Sequence, residues 1–351
     1  MNRGPAVAIV LLVVLVALAL PAEAHAPEFP EGGGSLEKAT EVKDPTKSWA
    51  IYSHLHEGGE AHYYLLRMRQ GENITVSLIA PRYSTDKGFL PSMALMGPGI
   101  EGNGTPPSFV EVPTGAGVEV IARSLPPGME YEPFSPSAFH ELSNVSLEAP
   151  QDGDYYLAVY DEATEGSYGL AVGLRESFTA EEWVLVPFSA LSIYLWEGQS
   201  PPAVLLAPAA AIAIGLAAML AFPRRPRPLD VLWVLATAAG LLMVASGVSL
   251  IYQMLWSLSQ TGAEPTLAVT IVLAAVPLAL GSAALRIAGR GRGSGAVSTG
   301  TRIAMAAVGV LSLLLWGGWI VGPAIAIAAA VLPGPVLTRV LGGPGRRAEV
   351  R

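Results

Sequence analysis

Four stretches of this chain, about 203–222, 229–256, 266–285 and 303–341, are too apolar to be stable in water. Read as one helix, the 36 residues from Ile303 to Thr338 would extend about 54 Å, well beyond a hydrocarbon core of about 30 Å. Trp316-Gly317-Gly318-Trp319 supplies a turn whose Trp rings suit a membrane interface, and Gly322-Pro323 lets a second helix begin. The expectation is a transmembrane bundle over 203–341 with five helices at 203–222, 229–256, 266–285, 303–317 and 319–340. Arginine clusters follow the first, third and last spans: Arg224, Arg225 and Arg227, then Arg286 to Arg302, then Arg339, Arg346, Arg347 and Arg351. Five passes put all of them on the cytoplasmic side with the tail 342–351, whereas four passes would leave the tail outside. Apart from Arg339 near the end of the last, Asp230 is the one charged residue inside the spans, at the cytoplasmic lip of the second. Ion pathways need buried ionisable groups, so the bundle reads as an anchor and assembly surface. Ala236, Gly240 and Gly247 allow close helix contact.

At the other end, Arg3 precedes an unbroken apolar run from Ala6 to Leu20, the pattern of an export signal. Cleavage after Ala24 is favoured over cleavage after Ala26, because Pro27 would follow the second cut. Residues 1–24 then form the signal and His25 becomes the mature N-terminus, where an α-amine and an imidazole on one residue suit copper.

The material between must fold outside the cytoplasm. Residues 25–200 carry 25 acidic against 9 basic side chains, a net charge of −16, while the 12 basic residues elsewhere are all arginine. Such a surface disfavours nucleic acid and anionic lipid. The chain has no cysteine, which removes disulfides, thiolate catalysis and cysteine metal sites. Its core must hold the exported part together unaided.

From Ser48 to Arg175 the pattern is one of short strands. Trp49–His56 alternates, Glu57–Glu60 turns, and His62–Met68 returns as a hairpin. Ile74–Ile79, Tyr155–Tyr160 and Gly166–Gly173 are further strands, and packed antiparallel sheets would bury them. The Gly71-Glu72 turn before Ile74–Ile79, the string Ala149-Pro150-Gln151-Asp152-Gly153-Asp154-Tyr155-Tyr156, and Tyr168-Gly169-Leu170 together carry a resemblance. They resemble the bacterial pre-peptidase C-terminal type of β-sandwich, and a group of archaeal and bacterial membrane proteins with such an ectodomain. The resemblance implies an accessory binding module without catalysis. The segment 81–143 departs from the compact module and offers loops for a ligand or partner.

Period two on the first strand sends Trp49, Ile51 and Leu55 to one face and Tyr52, His54 and His56 to the other. With His62 close across a tight hairpin, His54, His56 and His62 form a candidate metal cluster, joined by His25 in an alternative reading of copper handling. The spacing is not that of a helical zinc-protease motif. No nucleophile elbow or phosphate loop occurs, and Asp152-Gly153-Asp154 is a turn before a strand. Sequons at Asn73, Asn103 and Asn144 mark possible glycosylation.

The expected architecture is mixed: a signal at 1–24, an extracytoplasmic all-β, jelly-roll-like sandwich at 25–178, a juxtamembrane linker at 179–202, and an all-α transmembrane bundle. In the linker Trp183, Phe188, Tyr194 and Trp196 would rest on the outer interface. The expected role is non-enzymatic and cofactor-free, with membrane lipid and a protein or envelope component as partners.

Overall fold

A computed structural model describes residues 25–221, 229–290 and 297–340. The signal, its cleavage site, the first arginine cluster, Arg292 and the basic tail lie outside these. The described chain divides into two compact units: one runs to Ser200 and includes 256–264, the other holds 201–255 and 265–340.

The first unit contains two sheets. Strands β1 (Ala26–Glu28), β3 (Trp49–Leu55), β5 (Asn73–Ala80), β8 (Glu130–Glu132), β9 (Ser137–Glu148) and β11 (Gly166–Val172) form one, in the order β1-β3-β11-β5-β9-β8. Strands β2 (Thr40–Glu41), β4 (Glu60–Met68), β6 (Ser92–Gly97), β7 (Gly117–Ile121) and β10 (Gly153–Asp161) form the other, in the order β2-β4-β10-β6-β7. A single apolar core joins them, with Ile51, Leu55, Tyr168 and Leu170 from the first sheet meeting Tyr64, Leu66, Tyr155 and Leu157 from the second. Each such side chain contributes about 1.5–3 kcal/mol on burial, which is how a unit of this size is held together without disulfides. The departing segment 81–143 supplies β6, β7 and β8 and most of the loops between them, starting with the one-turn helix α1 (Arg82–Thr85).

The strands expected from period two all form. The expected hairpin does not. β3 and β4 belong to different sheets, so Glu57–Gly59 carries the chain across the core, and the true neighbours of β3 are β1 and β11. The reason lies in β4. His62, Tyr64, Leu66 and Met68 alternate on one face and all are buried, and that face must meet the inner face of β3 rather than extend its sheet.

The expected linker is a helix, α2 (Ala180–Trp196), opened by a capping box in which Thr179 Oγ1 accepts from the Glu182 amide and Glu182 accepts from the Thr179 amide. Lys47 Nζ pairs with Glu182 Oε1 at 2.6 Å. At the other end Ile193 and Trp196 pack on Ala50, Tyr52 and Ile79, the outer face of the first sheet. Tyr194 and Trp196 are thus buried in this unit, correcting their expected place at a lipid interface, while Phe188 stays exposed.

In the second unit, helices α3 (Pro201–Ala221), α4 (Val231–Thr261) and α5 (Leu267–Gly289) are each long and apolar enough to cross a bilayer. α4 and α5 approach closely through glycine: a Cβ on Gly240 would lie 2.9 Å from the Gly281 carbonyl, and one on Gly281 would lie 2.6 Å from the Gly240 carbonyl. Helices α6 (Thr299–Leu313) and α7 (Val321–Val331) stand where the last two passes are expected, the second ending nine residues short of its expected bound. They pair antiparallel, with Gly309 against Ile327 and Pro323.

At 15 and 11 residues these two rise only about 22 and 16 Å. Arg302 at the start of α6 donates to the carbonyls of Ala330 and Leu332 at the end of α7. The Val231 amide at the start of α4 donates to the Arg339 carbonyl, and Asp230 bridges Val340. Entry and exit of the pair therefore share one end of the unit with the start of α4.

The turn between them, with positive φ at Trp316, Gly318, Trp319 and Ile320, packs beside the middles of α4 and α5. Gly318 N donates to Ser246 Oγ at 2.7 Å, and Gly317 abuts Pro277. The break falls where the sequence places it, beside the middles of two longer helices. Buried backbone outside a helix needs hydrogen-bond partners, which Ser246 and Ser312 supply.

A cysteine at Leu315 or Trp319 tests this arrangement, since the chain has no native one. Neither is expected to react with a membrane-impermeant maleimide from either side in native membranes. Labelling from the exterior would restore two full passes.

Candidate functional site

At the histidine end of the two-sheet unit several polar side chains meet around one core position. Tyr168 on β11 and His62 and Tyr64 on β4 all point between the sheets, and Tyr168 and Tyr64 are fully buried. The Tyr168 hydroxyl lies 2.7 Å from the Tyr64 hydroxyl and 2.9 Å from His62 Nδ1. On its far side His62 Nε2 meets Glu60 Oε1 at 2.9 Å, and the other oxygen of Glu60 accepts from the His56 amide. Buried hydroxyls and imidazoles left without partners would each cost about 1–3 kcal/mol. Here each satisfies another.

Burial holds the His62 imidazole below its ordinary pKa despite Glu60, and pushes the Tyr168 phenol well above its own. Glu60, hydrogen-bonded by His56 and His62, sits below the usual carboxylate range although its partial burial opposes that shift.

Ser53, His62 and Glu60 make up a hydroxyl, an imidazole and a carboxylate. Yet Ser53 Oγ is 3.4 Å from Nδ1, where the Tyr168 hydroxyl is nearer, and it also lies 3.3 Å from the Pro30 carbonyl. With His62 2% and Ser53 8% exposed, this arrangement satisfies buried polarity and offers no nucleophile to a substrate.

His54 faces the opposite side of the first sheet. Its Nδ1 lies 3.1 Å from Ser167 Oγ, which in turn lies 2.7 Å from the Tyr83 hydroxyl. Burial is the main cause lowering the His54 pKa, with His56 adding to it. The His54 and His56 rings meet edge to face at 5.1 Å. His25 stands beside Ser48 at the start of β3, whereas His54 lies near its end. At about 3.3 Å per residue the strand separates them by about 20 Å, so His25 does not join the other three. His62 is likewise committed to Tyr168 and Glu60. Among the described residues no group of three or more His, Cys, Asp or Glu side chains is placed to hold a metal ion.

The sequence reading missed Ser53, Tyr64 and Tyr168 as partners of His62. Their signal was present in the alternation His62, Tyr64, Leu66, Met68, which marks an inward face once the hairpin is set aside. Asn73, Asn103 and Asn144 are all exposed. Two of the sequons lie on paired strands, where Thr75 and Ser146, the hydroxyl residues of the Asn73 and Asn144 motifs, stand opposite each other with their oxygens 3.4 Å apart.

A second buried group sits where α2 ends. Glu197 is 8% exposed, and its carboxylate accepts from the Ala138 amide at 2.7 Å and from Gln199 Nε2 at 3.2 Å. Burial pushes its pKa up to about 8. It did not figure among the expected site residues, because nothing in Trp-Glu-Gly-Gln marks a buried acid.

No family model and no curated protein match the chain. Eleven chains among solved structures do. One is PliG of Aeromonas hydrophila, a periplasmic inhibitor of g-type lysozyme, at 14% identity over 42% of this chain and 97% of that one, with a TM-score of 0.24. Another is the pre-peptidase C-terminal domain of a collagenase from Bacillus anthracis, at 17% identity over 38% and 93%, with a TM-score of 0.23. These are weak resemblances of fold, and no activity follows from them.

Tyr168→Phe is expected to destabilise the unit by about 1–3 kcal/mol by stranding His62 and Tyr64, measurable by urea unfolding. A neutral His62 is favoured by folding, so its share of stability is complete above the unfolded histidine pKa of about 6.5 and is lost as pH falls below it. His62→Gln should flatten that acid limb. Glu197 behaves oppositely. Its folded pKa is raised, so its contribution is greatest below the unfolded carboxylate value and is lost as pH rises through about 8. Glu197→Gln is expected to raise the melting temperature most at pH 8 and above, and little near pH 5.

Proposed function

We propose that this chain is a multi-pass membrane protein displaying a jelly-roll-like β-sandwich outside the cytoplasm as a binding module for a protein or envelope component. The observation that carries the membrane part is α3. The most apolar window within its 21 residues has a mean hydropathy of 2.4, yet only 11% of that window is buried by protein, and Leu206 and Ile214 are 71% and 70% exposed. No helix of that composition is stable in water; lipid is the solvent that suits it.

The exterior placement of the sheets rests on charge. Their acidic surface and the arginine-only basic residues elsewhere follow the positive-inside pattern, which also assigns the C-terminus to the cytoplasm. The α6–α7 pair leaves that assignment unchanged because it returns to the end where it started.

Binding is supported by the loops of 81–143. Leu90, Arg123, Ser124, Leu125 and Leu142 line a shallow hollow of about 120 Å³, with Leu125 48% exposed and the Arg123 guanidinium 3.7 Å from Asp161. An aliphatic side chain beside a hydrogen-bond acceptor suits that hollow. The exposed sequons would carry glycans on the same exterior unit.

Thr114→Cys, on an exposed loop, is expected to react with impermeant maleimide in intact cells. Reaction only after lysis would overturn the exterior assignment. A photo-crosslinking residue at Leu125 is expected to give a discrete adduct in intact cells that Arg123→Glu abolishes; no adduct would remove the binding role from this hollow.

A further inference from the structure

Helix α2 has two faces, and only one of them is accounted for by the sheets. Ile193, Tyr194 and Trp196 are buried. The residues at 184, 185, 188, 191 and 195 recur at helical spacing and form a continuous stripe of Val, Leu, Phe, Leu and Leu, with exposures of 44%, 49%, 49%, 37% and 38%. The stripe extends about 16 Å at 1.5 Å per residue. A helix resting on a domain in water turns charged and polar side chains outward. Here no charge interrupts the outward face beyond Glu181 in the first turn. Both ends of the helix are fixed to its sheet, by Lys47–Glu182 at 2.6 Å and by Trp196 Nε1 donating to the Tyr168 carbonyl at 2.9 Å. The stripe is therefore presented on a rigid support.

We propose that this stripe is a lipid-docking surface that lies along the outer interface of the bilayer. Covalent continuity selects lipid as the occupant. Only Glu197 to Ser200 separate Trp196 from Pro201, the first residue of the helix that requires lipid, and five Cα steps reach at most about 18 Å. The C-terminal end of the stripe is held within that distance of a hydrocarbon surface by the chain itself. The chemistry also specifies which lipid matters. Most interfacial helices pair an apolar face with lysine and arginine and depend on anionic lipid, but α2 contains no basic residue and begins with Glu181 and Glu182. Its docking is thus hydrophobic, indifferent to lipid charge and insensitive to salt. This inference rests on the proposed membrane placement and adds to it a second contact with the bilayer, made by the sheet-bearing unit.

The test uses the full chain in vesicles of phosphatidylcholine, some with brominated acyl chains, and single cysteines carrying an environment-sensitive fluorophore. At Phe188→Cys the fluorophore is expected to be blue-shifted and quenched by the brominated lipid, equally with or without anionic lipid and in salt up to about 1 M, where the Debye length is about 3 Å. At Thr114→Cys it should be neither. Leu206→Cys, on α3, is the control for the premise. Quenching at 206 without quenching at 188 would overturn lipid docking while leaving the membrane protein intact. Absence of quenching at both would overturn the membrane placement. A blue shift at 188 that disappears on dilution of protein among vesicles, without bromine quenching, would assign the stripe to a second copy and also overturn the proposal. With Phe188→Cys as reporter, adding Leu185→Glu is expected to abolish quenching while the unfolding midpoint of the sheets stays unchanged, since position 185 is exposed.

Discussion

Tyr168 is the residue through which the sheet-bearing unit of this protein is tied together. Its ring fills the core between the sheets, its hydroxyl meets Tyr64 and His62 from the opposite sheet, and its carbonyl receives the Trp196 indole from α2. Two sheets and a helix thus converge on one amino acid. A phenol in a dry core needs partners, and the partners it finds are what fix the relative position of β11, β4 and α2. In a chain without cysteine, buried hydrogen bonds of this kind supply the positional specificity that a disulfide would supply elsewhere.

Period two was sufficient to locate β3, β4, β5, β10 and β11, because alternating burial is imposed residue by residue. It was insufficient to say which strand pairs with which. A turn of four residues between Leu55 and Glu60 suits a hairpin and a crossing between sheets equally well, and the choice depends on whether the inner faces of β3 and β4 complement each other across the core. That error turned His62 outward on paper and produced a metal cluster from side chains the fold sends to opposite sides of a sheet. His25 was distanced by the same kind of fact, a parallel pairing of β1 with the start of β3, which local sequence does not encode. The aromatic content of 179–202 was legible as a wish for an apolar surface. Which surface each residue would find was not, since Trp196 and Phe188 are chemically alike and differ only in the face of α2 they occupy.

The apolar half shows the same division. Composition marks where apolar helices lie but not where they end, since the stretch expected as 319–340 is helical over Val321–Val331 and breaks before Gly334–Leu337, while Trp316-Gly317-Gly318-Trp319 is a break in the structure as in the sequence. The depth of that break depends on helix length and on hydroxyls that meet exposed amides, and these come from Ser246 on a different helix. Gly240 and Gly247, singled out for close packing, do face α5 at distances that exclude any side chain.

The geometry of α6 and α7 has a consequence for the modularity of the chain. Because the segment from about 297 to 340 begins and ends at the same end of its unit, it returns the chain to the place from which it set out. Insertion or loss of such a segment would alter the volume and packing of the unit without moving the end at which the chain leaves it, a change that adding or removing a single full-length helix could not make.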